Sequence, residues 1–209
     1  MRAVLAGLAA GEALDGRPAV AAGARSGNWC WHPKGDPRID FSLALLGGDG
    51  ARASLSSFAG SPVWLSFFTT WCPPCNQEAP GIVSFGARYR DAGLKIIGVD
   101  VKESEDKARA FVARYHIDYP VAMDSRGIVF KGFGGNAFPT HVFLDRTGHI
   151  TCVAHGALAE AQMDNEIAVA VAGGHALPQA KALGSPEPTP AASLKPSPSG
   201  SKSVAKGAP

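Results

Sequence analysis

Apolar residues fall along the chain in blocks whose spacing switches between that of a strand and that of a helix. "DFSLALLGGDGARASLSSF" (residues 40–58) sets two short apolar stretches on either side of Gly47-Gly48-Asp49-Gly50, the pattern of a β-hairpin. "PVWLSFF" (62–68) is an unbroken apolar run ended by Thr69-Thr70, as expected of a strand buried on both faces. Beyond Cys75, Ile82, Phe85 and Tyr89 recur at helical spacing, and "LKIIGVDV" (94–101) reads as a second buried strand. A helix is predicted from about Glu103, with Ala108, Phe111, Val112 and Tyr115 on one face. Its first turn holds Glu105 and Asp106, where acids complement the helix dipole. "YPVAMD" (119–124) is a short extended piece, and "GIVFKGFGG" (127–135) a short helix ended by glycines. "PTHVFLD" (139–145) and "HITCVAH" (149–155) flank Arg146-Thr147-Gly148 as strand, turn and strand. Met163, Ile167, Ala170 and Val171 share a face of a last helix that Gly173-Gly174 stops. This alternation predicts an α/β fold with helices on both faces of a central sheet. The closing antiparallel hairpin makes that sheet mixed.

The two ends lack such periodicity. Residues 1–27 are rich in Ala and Gly, and the apolar run "AVLAGLAAG" after Met1-Arg2 is short and stops at Glu12. It is a weak export signal as written, and a flexible leader is the other reading. Residues 176–209 combine Pro, Ser, Ala and Lys without one aromatic, so they cannot bury enough surface to offset chain entropy. A flexible, weakly cationic tail is expected there, which leaves 28–175 as one domain. The whole chain of 209 residues is 45% hydrophobic and 18% charged, ordinary for a globular protein. Its 20 basic and 18 acidic residues are scattered without a basic stripe, so no nucleic-acid partner is expected. No stretch approaches the roughly 18 apolar residues of a membrane-spanning helix.

Four cysteines are too few for a disulfide scaffold, so each is judged separately. Cys72 and Cys75 stand two prolines apart in "TTWCPPCNQEAP" (69–80), between the first buried strand and the helix after it. At a helix N-terminus, unpaired N–H groups and the helix dipole favour negative charge, so the Cys72 thiol is expected below its reference pKa of about 8.5. A thiolate is the species that attacks a disulfide. Cys75, one turn on, is placed to attack the resulting mixed disulfide. Pro73 and Pro74 stiffen the turn, and Pro73 forfeits only an N–H that the helix start leaves unpaired. Two other readings compete. A zinc half-site needs two more ligands, yet Cys30, Cys152 and the six histidines show no ligand spacing, so no metal is expected. A purely structural staple closing so small a ring would restrain the unfolded chain little.

"WLSFFTTWCPPC", the downstream "FPT" and the strand-turn-strand after it resemble the thioredoxin superfamily, and within it the TlpA/ResA-like thiol-disulfide oxidoreductases, kin of the AhpC/TSA-type redoxin domains. The likeness runs from about Asp40 to Gly173. It implies a thioredoxin-like three-layer sandwich with a central mixed sheet, an N-terminal hairpin addition and a helix-strand insertion, the last carried by "ESEDKARAFVARYHIDYPVAMD". By the same resemblance Trp71-Cys72-Pro73-Pro74-Cys75 is the active site, with Cys72 as nucleophile and Cys75 as resolving thiol. Pro80 falls where thioredoxins kink the active-site helix, and Glu78 matches a glutamate common in this branch. Phe138-Pro139-Thr140 matches the cis-proline loop: Pro139 packs against the disulfide, and Phe138 and Thr140 are expected at the substrate edge. One position departs from the pattern. Ser66 stands six residues before Cys72, where thioredoxins bury an aspartate. A hydroxyl accepts a proton poorly, so Glu78 beside Cys75, or water, is left to take the proton. The competing reading of Glu78 is a solvated acid in the first turns of its helix.

Among the remaining residues, Cys152 shares a strand face with Ile150 and Ala154, and packing as a free core cysteine is the favoured reading. Cys30, between Trp29 and Trp31, lies outside the core pattern. A Cys30–Cys152 disulfide is the second reading. His141 is read as packed or solvated, with a place on the active-site rim as the alternative.

The function expected is exchange of dithiol for disulfide with protein substrates, without a cofactor, and the resemblance implies the reducing direction. The resemblance implies a place outside the cytoplasm, periplasmic or secreted, although the weak N-terminal signal leaves the cytoplasm open. It also implies a membrane thiol-disulfide transporter as electron donor, and a monomer is expected. A peroxiredoxin-like peroxidase is the alternative within redox enzymes: Thr69 fits its pattern, but Leu65 stands where its proline belongs. The third possibility is a non-catalytic binding module on the same scaffold.

Overall fold

A computed structural model describes residues 29–31 and 39–173, which fall in a single unit. The expected leader 1–27 and tail 176–209 lie outside the described residues. The elements run β1 (Ser42–Leu45), β2 (Arg52–Ser54), a 3-10 helix (Leu55–Phe58), β3 (Val63–Phe68), α1 (Pro73–Arg88), β4 (Lys95–Val101), α2 (Glu105–Tyr115), β5 (Val121–Asp124), α3 (Ile128–Gly132), β6 (Thr140–Leu144), β7 (Ile150–His155) and α4 (Glu160–Ala172). No described helix is long and apolar enough to cross a membrane.

The seven strands form one mixed sheet in the order β2-β1-β5-β4-β3-β6-β7. β3, β4 and β5 are parallel, and the remaining pairings are antiparallel. All six side chains of β3 are buried, which is why its sequence shows an unbroken apolar run and why it lies inside the sheet. Alternation along it serves two cores. Val63, Leu65 and Phe67 face a layer of Phe41, Phe130 and Phe133. Trp64 faces the other way, onto Ile82 and Phe85 of α1 and Met163 and Ile167 of α4. Phe68, on that second face, stacks on Phe111 of α2 with ring centroids 4.7 Å apart. Each large apolar side chain so buried is worth about 1.5–3 kcal/mol. Helices cover both faces as expected, but unevenly: α1, α2 and α4 lie on one, and the short α3 and the 3-10 helix on the other.

The N-terminal hairpin joins the sheet through the inserted strand, with Ala44 paired to Met123 of β5. Its turn uses Gly47 and Gly50 at φ +71° and +88°, in the left-handed region. α2 starts at Glu105 rather than Glu103, with Ser104 in the N-cap position, and this leaves Glu103 outside the helix for another task.

Two sequence expectations are corrected at β7. A register irregularity between Phe143 and Leu144 pairs Cys152 with Phe143 and Ile150 with Leu144. Ile150 therefore packs in the Phe67 core, on the face opposite Cys152 and Ala154, rather than beside them. Cys152 is not a free core cysteine either: it is disulfide-bonded to Cys30, with Cα atoms 5.0 Å apart. The next residue of the arm, Trp31, pairs by its backbone with Val153, its N–H donating at 2.8 Å and its carbonyl accepting at 3.0 Å. Alternation along one strand cannot reveal a partner 122 residues away.

Candidate active site

The parallel strands β3 and β4 end side by side, and the turn leaving β3 carries the Cys-x-x-Cys pair. Glu103, just past β4, accepts hydrogen bonds from the Thr70 N–H and, at 2.9 Å, from the Thr70 hydroxyl. Asn76 holds the same turn from inside α1. Its amide donates to the carbonyls of Thr70 at 2.9 Å and Cys72 at 2.7 Å, and its oxygen accepts from the Tyr115 hydroxyl of α2 at 2.7 Å. Cys72 is the N-cap of α1, with Pro73 and Pro74 in the first positions, as expected from the sequence. Its Sγ accepts from the Cys75 N–H at 3.3 Å, a donor aimed at the sulfur that would bear the charge. The two cysteines form a disulfide with Cα atoms 5.3 Å apart, and both are buried while Trp71 beside them is 67% exposed.

The loop after α3 closes the other side. The Phe138–Pro139 peptide bond is cis. Phe138 stacks on Phe130 at 4.7 Å and meets the edge of Trp71 at 6.1 Å, and Trp71 and Phe138 form an aromatic rim on the site. Gly156 donates its N–H to the Pro139 carbonyl at 2.8 Å and ties the loop to the end of β7. Thr140, expected with Phe138 at the substrate edge, has no exposed surface. Its hydroxyl donates to the Ala137 carbonyl at 2.6 Å and lies 3.2 Å from Nδ1 of His155, so it braces the loop from inside. Burial holds the His155 imidazole below its ordinary pKa.

Behind the disulfide lies a cavity of about 10 Å³, room for a single water molecule, lined by Ser66, Cys75, Glu78, Tyr119 and Pro139 among others. Glu78 is not the solvated acid of the competing reading, because α1 turns it inward and only 9% of it is exposed. One carboxylate oxygen accepts the Leu158 N–H at 2.6 Å, and the other lies 3.1 Å from Nε2 of His141. His141 is fully buried on β6, opposite Ser66 of β3, and takes a hydrogen bond from the Trp64 indole at 3.2 Å. The structure thus brings together Trp71, Cys72, Cys75, Glu78, Phe138 and Pro139, which the sequence singles out, and adds His141, Trp64 and Glu103. The last two had no signal in sequence: Trp64 reads as core, and Glu103 as the start of a helix.

One more acid stands nearby. Asp100 of β4 is fully buried, and its carboxyl is pushed up to about 7 by burial and then by the neighbouring Glu103 carboxylate, with Lys107 pulling the other way.

This arrangement can pass two electrons between a dithiol and a disulfide, with the Glu78 carboxylate buried behind Cys75. Comparison with known proteins agrees. Residues 35–153 match the AhpC/TSA family. The thiol-disulfide oxidoreductase ResA of Bacillus thuringiensis subsp. konkukian is 31% identical over 116 residues, 56% of this chain and 67% of its own. A thiol:disulfide interchange protein of the thioredoxin family from Chlorobium tepidum superposes with a TM-score of 0.58 at 27% identity, over 68% of this chain and 99% of its own. A secreted Mycobacterium tuberculosis disulfide oxidoreductase, described as homologous to E. coli DsbE, gives a TM-score of 0.58 at 26% identity, over 65% and 99%.

Proposed function

The chain belongs to the AhpC/TSA family and is a thiol-disulfide oxidoreductase, and we propose that it reduces disulfides in protein substrates outside the cytoplasm. The observation that carries this reading is the Cys72–Cys75 pair at the N-terminus of α1, with an aromatic rim in front of it and a buried carboxylate behind. In the reduced protein the Cys72 thiolate attacks a substrate disulfide, forming a Cys72–substrate bond and releasing one substrate thiolate. Cys75 then gives its proton to Glu78, and its sulfur attacks Sγ of Cys72. The mixed disulfide breaks, the second substrate sulfur leaves as a thiolate, and the protein is left oxidised. A dithiol on a membrane thiol-disulfide transporter returns the two electrons.

The extracytoplasmic location is supported by the secreted relative and by the Cys30–Cys152 disulfide, since such bonds persist in oxidising compartments. The test is Cys75→Ser, which removes the resolving thiol. Incubated with extracts of the native compartment, it should accumulate covalent complexes at Cys72 that dithiothreitol releases. A variant that traps no protein, together with an intact protein that fails to reduce insulin, would sink the reading.

A further inference from the structure

We infer that His141, its tautomer fixed by Trp64, is a positioning residue for the resolving step, holding the Glu78 carboxylate where it lines the cavity with Cys75. The inference rests on the reading of Glu78 as the group that takes the Cys75 proton.

Three elements meet here: Trp64 comes from β3, His141 from β6 and Glu78 from α1. Trp64 and His141 have no exposed surface, so the hydrogen bond between them is shielded from water. An indole nitrogen only donates, so Nδ1 of His141 is the acceptor of the 3.2 Å bond and carries no proton. The proton of the neutral ring then sits on Nε2, which donates to Glu78 at 3.1 Å. The direction of both bonds follows from the one group that cannot reverse. With Leu158 N–H on its other oxygen, the carboxylate is held at both ends, and each oxygen keeps a second acceptor position.

That geometry suits proton uptake in place. When the Cys75 S–H bond breaks, its proton goes onto a free position of Glu78, directly or through the one water the cavity has room for. It cannot run on into the core, because Nε2 already bears a hydrogen, Nδ1 is engaged and the indole accepts nothing. The Cys75 sulfur then forms its bond to Cys72 as the bond from Cys72 to substrate breaks.

The test uses the reduced full-length protein mixed with 5,5′-dithiobis(2-nitrobenzoate). Release of the first coloured thiolate reports attack by Cys72, and release of the second reports resolution by Cys75. His141→Leu should slow the second release about tenfold or more without slowing the first. His141→Gln, whose amide can accept from Trp64 and donate to Glu78, should recover most of that loss. The double variant with Glu78→Gln should be no slower than Glu78→Gln alone, whereas a merely structural role would add. Nitrogen NMR should show one tautomer, protonated at Nε2, and Trp64→Phe should populate both tautomers and slow the second release.

A folded His141→Leu with the wild-type second rate, while Glu78→Gln is slowed, overturns the positioning role and leaves Glu78 standing. A Glu78→Gln variant at the wild-type rate overturns the reading of Glu78 itself. Should His141→Leu fail to fold, Trp64→Phe decides: a single tautomer with an unchanged rate refutes the proposal.

Discussion

Asp100 shows how one side chain sets a pH response that its position in a strand conceals. "LKIIGVDV" reads as a buried strand, and the acid in it sits fully buried between β3 and β5. With its carboxyl pushed up to about 7, the folded protein holds a proton there that the unfolded chain releases near pH 4. Between those two values the native state binds more protons than the unfolded state, so stability falls as pH rises. Below about pH 4 both states are protonated, and the favourable contribution of the neutral acid is fully present. Asp100→Asn, which cannot ionise, should therefore match wild type in melting temperature at pH 4 and exceed it by several degrees at pH 8, since 1 kcal/mol corresponds to about 2–4 °C in a domain of this size. Melting curves at several pH values check this, and a difference that does not grow with pH would contradict it. At this scale Cys72 and Cys75 are legible in the sequence because their chemistry depends on a local spacing. Glu103, which grips Thr70, is not, because its partner comes from another strand end.

Among the elements, α1 is the most legible and the connection into β6 the least. Proline at the first positions of α1 and apolar spacing through Phe85 mark it in the sequence, whereas the inward turn of Glu78 is one of two readings that the sequence leaves open. The connection depends instead on close approach. A Cβ on Gly135 would fall on the Phe130 ring and 2.6 Å from its carbonyl. Phe130 in turn packs on Phe67 at 5.7 Å and stacks on Phe138, the residue before Pro139. Gly135→Ala should therefore push on the aromatic layer that supports the cis-proline loop. The expected cost is about 1–3 kcal/mol in urea unfolding, the usual range for overpacking, with slower insulin reduction by the folded fraction. A variant with wild-type stability and rate would show that the loop yields without consequence. Sequence reads the glycines here only as a helix stop, since no periodicity reports what a backbone passes near.

For the whole molecule, the Cys30–Cys152 disulfide and the register of β7 matter most. Linking residues 122 apart removes much freedom from the unfolded chain, so Cys30→Ser with Cys152→Ala should lower the unfolding free energy by about 3–5 kcal/mol. Denaturant unfolding of the oxidised proteins measures the loss, and an unchanged midpoint would rule out a stabilising role. Just past β7, Gly156 and Leu158 direct their N–H groups to Pro139 and Glu78, so the end of the braced strand supports the candidate site from behind. The alternation of strands and helices, the hairpin, the redox pair at the start of α1 and the loop at Phe138-Pro139-Thr140 are legible in the sequence, because each is written in spacing or in a short motif. The meeting of Cys30 with Cys152, the inward turn of Thr140 and the hydrogen-bonded line of Trp64, His141 and Glu78 behind Cys75 emerge only in the folded chain. Those contacts join residues tens of positions apart, and the sheet register that brings them together belongs to the folded chain as a whole.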